Sequence, residues 1–126
     1  MFDKNLPQLA LENGNFRKVI NTTDLTQIVL MSLLPGEDIG MEHHTGLDQV
    51  LVIVSGEGQA SIDGEVQVIG PGSVIVVPDE AEHNFINISD TEPMKLWTVY
   101  APPQHEPGTI HRTKQDAEAD EEHFEK

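Results

Sequence analysis

Between Thr26 and Ala101 the chain is a succession of short runs rich in Val and Ile, each cut off by Gly, Pro or Asp, and that rhythm leaves few folds open. TQIVLMSLLPG, LDQVLVIVSGEG, QASIDGEVQVIG, PGSVIVVP, HNFINIS and MKLWTVYAPP have the composition and the length of strands. Asp63-Gly64, between SI and EVQV, is a two-residue hairpin signal. Gly56 with Gly58, and the triplet Gly70-Pro71-Gly72, mark two more tight connections. No helix-period apolar pattern interrupts this stretch. Closely spaced strands joined by such turns predict an all-β sandwich or barrel.

Two of the runs are apolar on both faces. Every residue of Val50–Val54 and of Val74–Val77 is aliphatic, whereas a strand with one wet face alternates. Something should therefore cover the second face: another sheet, the N-terminal segment or a second subunit. A homodimer built by sheet packing is the expectation. Beyond Ala101 the character changes. APPQHEPGTIHR is Pro-rich and extended, and should lie over the barrel surface. Thr113, with Asp116 three residues on, then resembles a capping box that opens a short helix over TKQDAEADEEHF, weakly helical because it has almost no apolar face. One domain, 1–126, is expected, with a core barrel at about 26–101 and a C-terminal extension at 102–126.

Composition removes several classes of function. The chain has no cysteine, so any metal must be held by nitrogen and oxygen. Seven basic residues against 22 acidic ones give a net charge of −15, which argues against nucleic acid as a partner. Much of the acidic excess sits in QDAEADEEHFEK and reads as a solvated tail that includes His123. No segment has the length and apolarity of a signal peptide or a membrane span, so no membrane association and a cytoplasmic location are expected.

Two stretches carry the chemistry. Residues 36–58 read GEDIGMEHHTGLDQVLVIVSGEG and residues 72–87 read GSVIVVPDEAEHNFIN. Alternate side chains of a strand share a face, so Glu42 and His44 point together and His43 points away. By the same parity Gln49 goes with Leu51 and Ile53, and Asp48 falls on the other face. The spacing resembles that of the cupin family, with its first motif G-x5-H-x-H-x3–4-E-x6-G and its second G-x5-P-x-G-x2-H-x3-N. Gly36, His44, Gly56, Gly72, Pro78, His83 and Asn87 match those patterns. Glu42 stands where the family has its first His, Gln49 where it has Glu, and Glu80 where it has Gly.

The resemblance implies a double-stranded β-helix, a jelly-roll barrel, with Glu42, His44, Gln49 and His83 as ligands of one divalent ion. Two imidazoles, a carboxylate and an amide oxygen suit Fe, Mn, Co, Ni or Zn, with positions open to water or a small-molecule ligand. Tyr100, His105 and His111 are candidates for contact with that ligand. Trp97 has the opposite parity to Tyr100, so at most one of them lines the pocket. Asp48 is expected to orient a histidine or hold a loop. Arg17 with Lys18 is open to two readings, an anchor for an anionic substrate or a contact at the surface or between subunits, and the second is the expectation. Small cupins of this kind are often labelled mannose-6-phosphate isomerase-like, but no Lys/Arg cluster suited to a sugar phosphate accompanies the site. The function the resemblance implies is a metal-dependent enzyme acting on a small oxygen-rich metabolite such as a sugar, uronate or hydroxy/keto acid. The alternatives are a non-catalytic binding module and an Fe(II)-dependent dioxygenase.

Overall fold

The computed structural model describes residues 1–120. The chain opens with α1 (Leu6–Glu12), then runs through β1 (Arg17–Thr22), β2 (Gln27–Leu33), β3 (Glu42–His43), β4 (Asp48–Ser55), β5 (Gly58–Ile62), β6 (Glu65–Ile69), β7 (Val74–Val77), β8 (Glu82–Asn87), β9 (Met94–Ala101) and β10 (Ile110–His111), and reaches α2 (Lys114–Ala119). All pairings are antiparallel. They make a six-stranded sheet in the order β10-β1-β2-β9-β4-β7 and a four-stranded sheet in the order β3-β8-β5-β6. This is the expected all-β jelly roll, in which two sheets bury their inner faces against each other. No helix among the described residues is long and apolar enough to cross a membrane.

The strands are where Val/Ile-rich composition placed them, and period-two burial shows why they pack. In β9 Met94, Leu96, Thr98 and Tyr100 are buried while Lys95, Trp97 and Val99 between them are not. In β8 His83, Phe85 and Asn87 alternate with Glu82, Asn84 and Ile86 in the same way. Register carries the inner rows across the larger sheet. Arg17, Met31, Leu96 and Ile53 form one row, and Gln27, Tyr100, Gln49 and Val77 another. Met31, Leu33, Leu51, Phe85, Met94 and Leu96 are wholly buried, and each such side chain contributes about 1.5–3 kcal/mol relative to exposure. The β5–β6 hairpin turns on Asp63 (φ 49°) and Gly64 (φ 87°), two left-handed residues in succession as a primed turn requires. Gly58 is fixed by space: a Cβ there would sit 2.5 Å from Met94 Sδ and 2.7 Å from the Ile86 carbonyl oxygen.

Three features lie outside the span 26–101 marked by the apolar runs. α1 is capped by Asn5, whose side chain accepts the Gln8 N–H at 3.0 Å. It packs on the outer face of β2, β4 and β9, where Leu30 is buried. β1 and β10 extend the larger sheet beyond β2. α2 begins at Thr113, whose hydroxyl accepts the Asp116 N–H, as the capping signal implied; His123 lies outside the described residues. The expectation that both faces of the aliphatic runs are covered holds only in part. Val50, Val52 and Val54 are half-buried, but Val74 and Val76 of β7 stay exposed, as do Val66 and Val68 of β6. A groove of about 330 Å³ runs between these two edge strands, and Glu42, His44, Gln49 and His83 do not line it.

Candidate metal centre

β3 and β8 pair so that Glu42 lies directly opposite His83. His44 follows β3 on the same face, and the three side chains converge with their ligand atoms within 4.8 Å of one another. His44 Nε2 is 3.3 Å and His83 Nε2 3.8 Å from Glu42 Oε1. The rings of His44 and His83 lie 5.2 Å apart. His43 is exposed, as strand parity required.

The hydrogen bonds fix which atoms point into the cluster. His83 Nδ1 lies 2.9 Å from the Ala81 carbonyl oxygen, which can only accept, so the proton is on Nδ1. Nε2 is left to face the cluster, and it is buried with no hydrogen-bond partner. Thr98 donates its hydroxyl proton to the Val50 carbonyl at 2.8 Å, so its oxygen must accept from Gln49 Nε2 at 3.1 Å. The Gln49 amide is thus oriented, and its Oε1 is buried without a partner. His44 Nε2 is buried too, and its contact with Glu42 lacks the direction of a hydrogen bond. Buried polar atoms in native proteins are nearly always satisfied. Three unsatisfied acceptor-capable atoms beside one carboxylate have the chemistry of a cation site, and the donor set fits a divalent metal.

Electrostatics point the same way. Burial pushes the Glu42 carboxyl upward, but the close contact with His44 and the charges of His44, Arg17 and His83 outweigh it and hold the group below its ordinary value. Glu42 is thus ionised at neutral pH.

Tyr100 is buried opposite Gln49, with its ring edge-on to His44 at 6.0 Å and to His105 at 5.2 Å. The Pro-rich segment is folded in rather than laid loosely on the surface, because Gln27 clamps its backbone. Gln27 Oε1 accepts the N–H groups of Gln104 and His105, and Nε2 donates to the His105 carbonyl at 2.7 Å. His111 is buried between Arg17 (3.2 Å) and Asp120 (2.8 Å). Asp48 holds a loop: it accepts the Asp79 N–H at 2.8 Å, while Asp79 accepts the Gly46 N–H. Glu80, at the family's glycine position, has φ 72° and donates its N–H to the His44 carbonyl oxygen. Trp97 points outward. Arg17 corrects the sequence reading, since it is 7% exposed and on the inner face instead of the surface. Its alternation with Val19 was the available signal. Thr98 was also missed, although it shares the parity of Tyr100.

Comparison with known proteins agrees with this architecture. A cupin domain model matches residues 29–100. The uncharacterized protein YrkC of Bacillus subtilis is 40% identical over 127 residues, spanning 96% of this chain and 68% of that protein. The crystal structure of BH2720 from Bacillus halodurans superposes with a TM-score of 0.91 at 36% identity, covering 94% of this chain and 93% of the other. TT1209 from Thermus thermophilus gives a TM-score of 0.69 at 30% identity over 81% of this chain and 98% of its own.

Proposed function

The chain belongs to the cupin family, and on that premise we propose that it is a metal-dependent enzyme on a small oxygen-rich metabolite, with one divalent ion held by Glu42, His44, Gln49 and His83. The observation that carries this reading is the set of unpartnered buried atoms His44 Nε2, His83 Nε2 and Gln49 Oε1 around the Glu42 carboxylate. The metal when bound supplies Lewis-acid polarisation of an oxygen ligand. The chain's own part is to set the tautomer of His83 through Ala81, to aim the Gln49 oxygen through Thr98, and to keep Glu42 ionised. Tyr100 and His105 lie next along the same wall, where they would meet the bound metabolite.

Elemental analysis of protein purified without added metal tests this. About one equivalent of Fe, Mn, Co, Ni or Zn is expected in the wild type, and loss of it in both His44→Ala and His83→Ala. Retention at full stoichiometry in both variants would remove the site. Iron with substrate-dependent oxygen uptake would assign the dioxygenase alternative, since two His and one carboxylate are compatible with it. Metal-dependent binding of metabolites without turnover would assign a binding module.

We also propose a cytoplasmic homodimer in which a second copy covers the exposed valines of β6 and β7. Val74→Lys with Val76→Lys should then shift the sedimentation coefficient to that of a monomer; an unchanged value rules this interface out.

A further inference from the structure

Arg17 is the only Lys, Arg, Asp or Glu among the buried residues described. A buried guanidinium is costly unless it is paired, and the usual partner is a carboxylate. Among the described residues none serves it. Its Nη1 faces His111 Nδ1 at 3.2 Å, and that imidazole is neutral toward it, because Nδ1 must accept while Nε2 donates to Asp120. Phe16 packs against the guanidinium at 5.3 Å. Nε is buried with no partner, and no acceptor among the described residues engages the Nε/Nη2 edge, which is the edge suited to two parallel bonds to a carboxylate.

The register places this group on the inner face. Arg17 opposes Met31 and alternates with Val19, both buried. After the contact with His44 and its charge, Arg17 is among the positive charges that hold the Glu42 carboxyl below its ordinary value. Resting on the metal reading above, a divalent ion with Glu42 leaves a net positive centre, and Arg17 adds to it. A neutral sugar would leave the guanidinium unpaired, whereas an acid would satisfy it.

We propose that Arg17 is the anion anchor of this site, holding the carboxylate of a small 2-hydroxy or 2-keto acid while the acid's second oxygen reaches the Glu42–His44–His83 cluster. Arg17 is thus the residue that selects acids over neutral metabolites of the same shape. The competing role is structural: the chain Arg17–His111–Asp120 ties β1 to β10 and the end of α2. That role predicts an effect on stability alone.

Pyruvate and its neutral isostere pyruvamide separate the two roles. Each is titrated into the cobalt(II)-loaded protein, read by the visible spectrum of the metal and by thermal shift. The wild type should bind pyruvate about tenfold or more tightly than pyruvamide, the size expected for a charge-assisted pair. Arg17→Gln should abolish the preference while cobalt stoichiometry is unchanged, and Arg17→Lys should keep part of it. Equal affinities in the wild type, no pyruvate binding up to about 50 mM (a ceiling weaker than the millimolar binding of about −4 kcal/mol), or a preference that survives in Arg17→Gln overturns the proposal. If Arg17→Gln does not fold, the wild-type ratio and Arg17→Lys decide. If the protein takes up no cobalt, the metal reading falls. The same pair is then compared by thermal shift on the metal-free protein, where a pyruvate preference supports the anchor and its absence overturns it.

Discussion

The two ends of the barrel bury polar groups in opposite ways. At one end Asn87, wholly buried, uses every hydrogen-bonding group it has. Its Nδ2 donates to the carbonyls of Leu33 (3.0 Å) and Glu92 (2.8 Å), and its Oδ1 accepts the Ser89 N–H. Around it Leu33, Ile53, Met94 and Leu96 close the interior, and Met94 fills the space against Gly58. At the other end Gln49 and His83 are just as buried, yet each spends one side of its side chain on the protein and leaves the other unmatched. One end is built to be finished by the chain alone, the other by something the chain holds. Stability and ligand binding should therefore respond separately to substitution at the two ends.

The largest effect is expected at the closed end. Leu96→Ala removes a side chain with no exposure and should lower the free energy of unfolding by about 2–5 kcal/mol. Urea denaturation would measure it, and metal content should not change; a parallel loss of metal would mean that the ends are coupled. Gln49→Met at the open end should do the reverse. It removes an amide whose oxygen is unsatisfied, so metal-free stability should stay within about 1 kcal/mol, while metal affinity falls about tenfold or more. Titration with a competing chelator gives the second number. Glu80→Gly relieves a left-handed conformation next to the site and should raise stability by about 1 kcal/mol, seen as a higher midpoint in the same denaturation curve.

The smallest effect is a pH dependence. The hydrogen bond with Lys114, then that with Asn84, holds the Asp38 carboxyl below its ordinary value despite some burial. A carboxyl depressed in the folded state contributes stability above its unfolded pKa and loses it as pH falls through the folded value. Wild type should therefore exceed Lys114→Ala at pH 7 by less than about 1 kcal/mol, the pair being partly exposed. That margin should vanish in the acid range below about pH 4. A margin independent of pH would show that Lys114 acts through packing.

How much of this was legible beforehand depends on whether the signal was local. Glu42, His44 and the exclusion of His43 followed from alternation within a single strand. That Glu42 faces His83 did not, because the register of β3 on β8 joins segments forty residues apart and no local rule fixes it. Arg17 was misread for a related reason: a charged pair before the first marked run looks like surface until β1 is known to belong to the sheet. α1 went unseen because seven residues carry little periodicity, although Asn5 with Pro7 is a start signal. The exposure of Val74 and Val76 reflects the position of β7 at a sheet edge, and composition says nothing about edges.

The Gln27 clamp has a further consequence for how this chain can vary. It grips residues 104 and 105 by their N–H and carbonyl groups alone, and an amide gains or loses no proton across the accessible pH range. The Gln27 bonds themselves therefore do not depend on which side chains stand at 104 and 105, so the wall beside Tyr100 can be rewritten for a different metabolite without removing this clamp. Proline at either position is the exception, because it would withdraw a proton that Gln27 accepts.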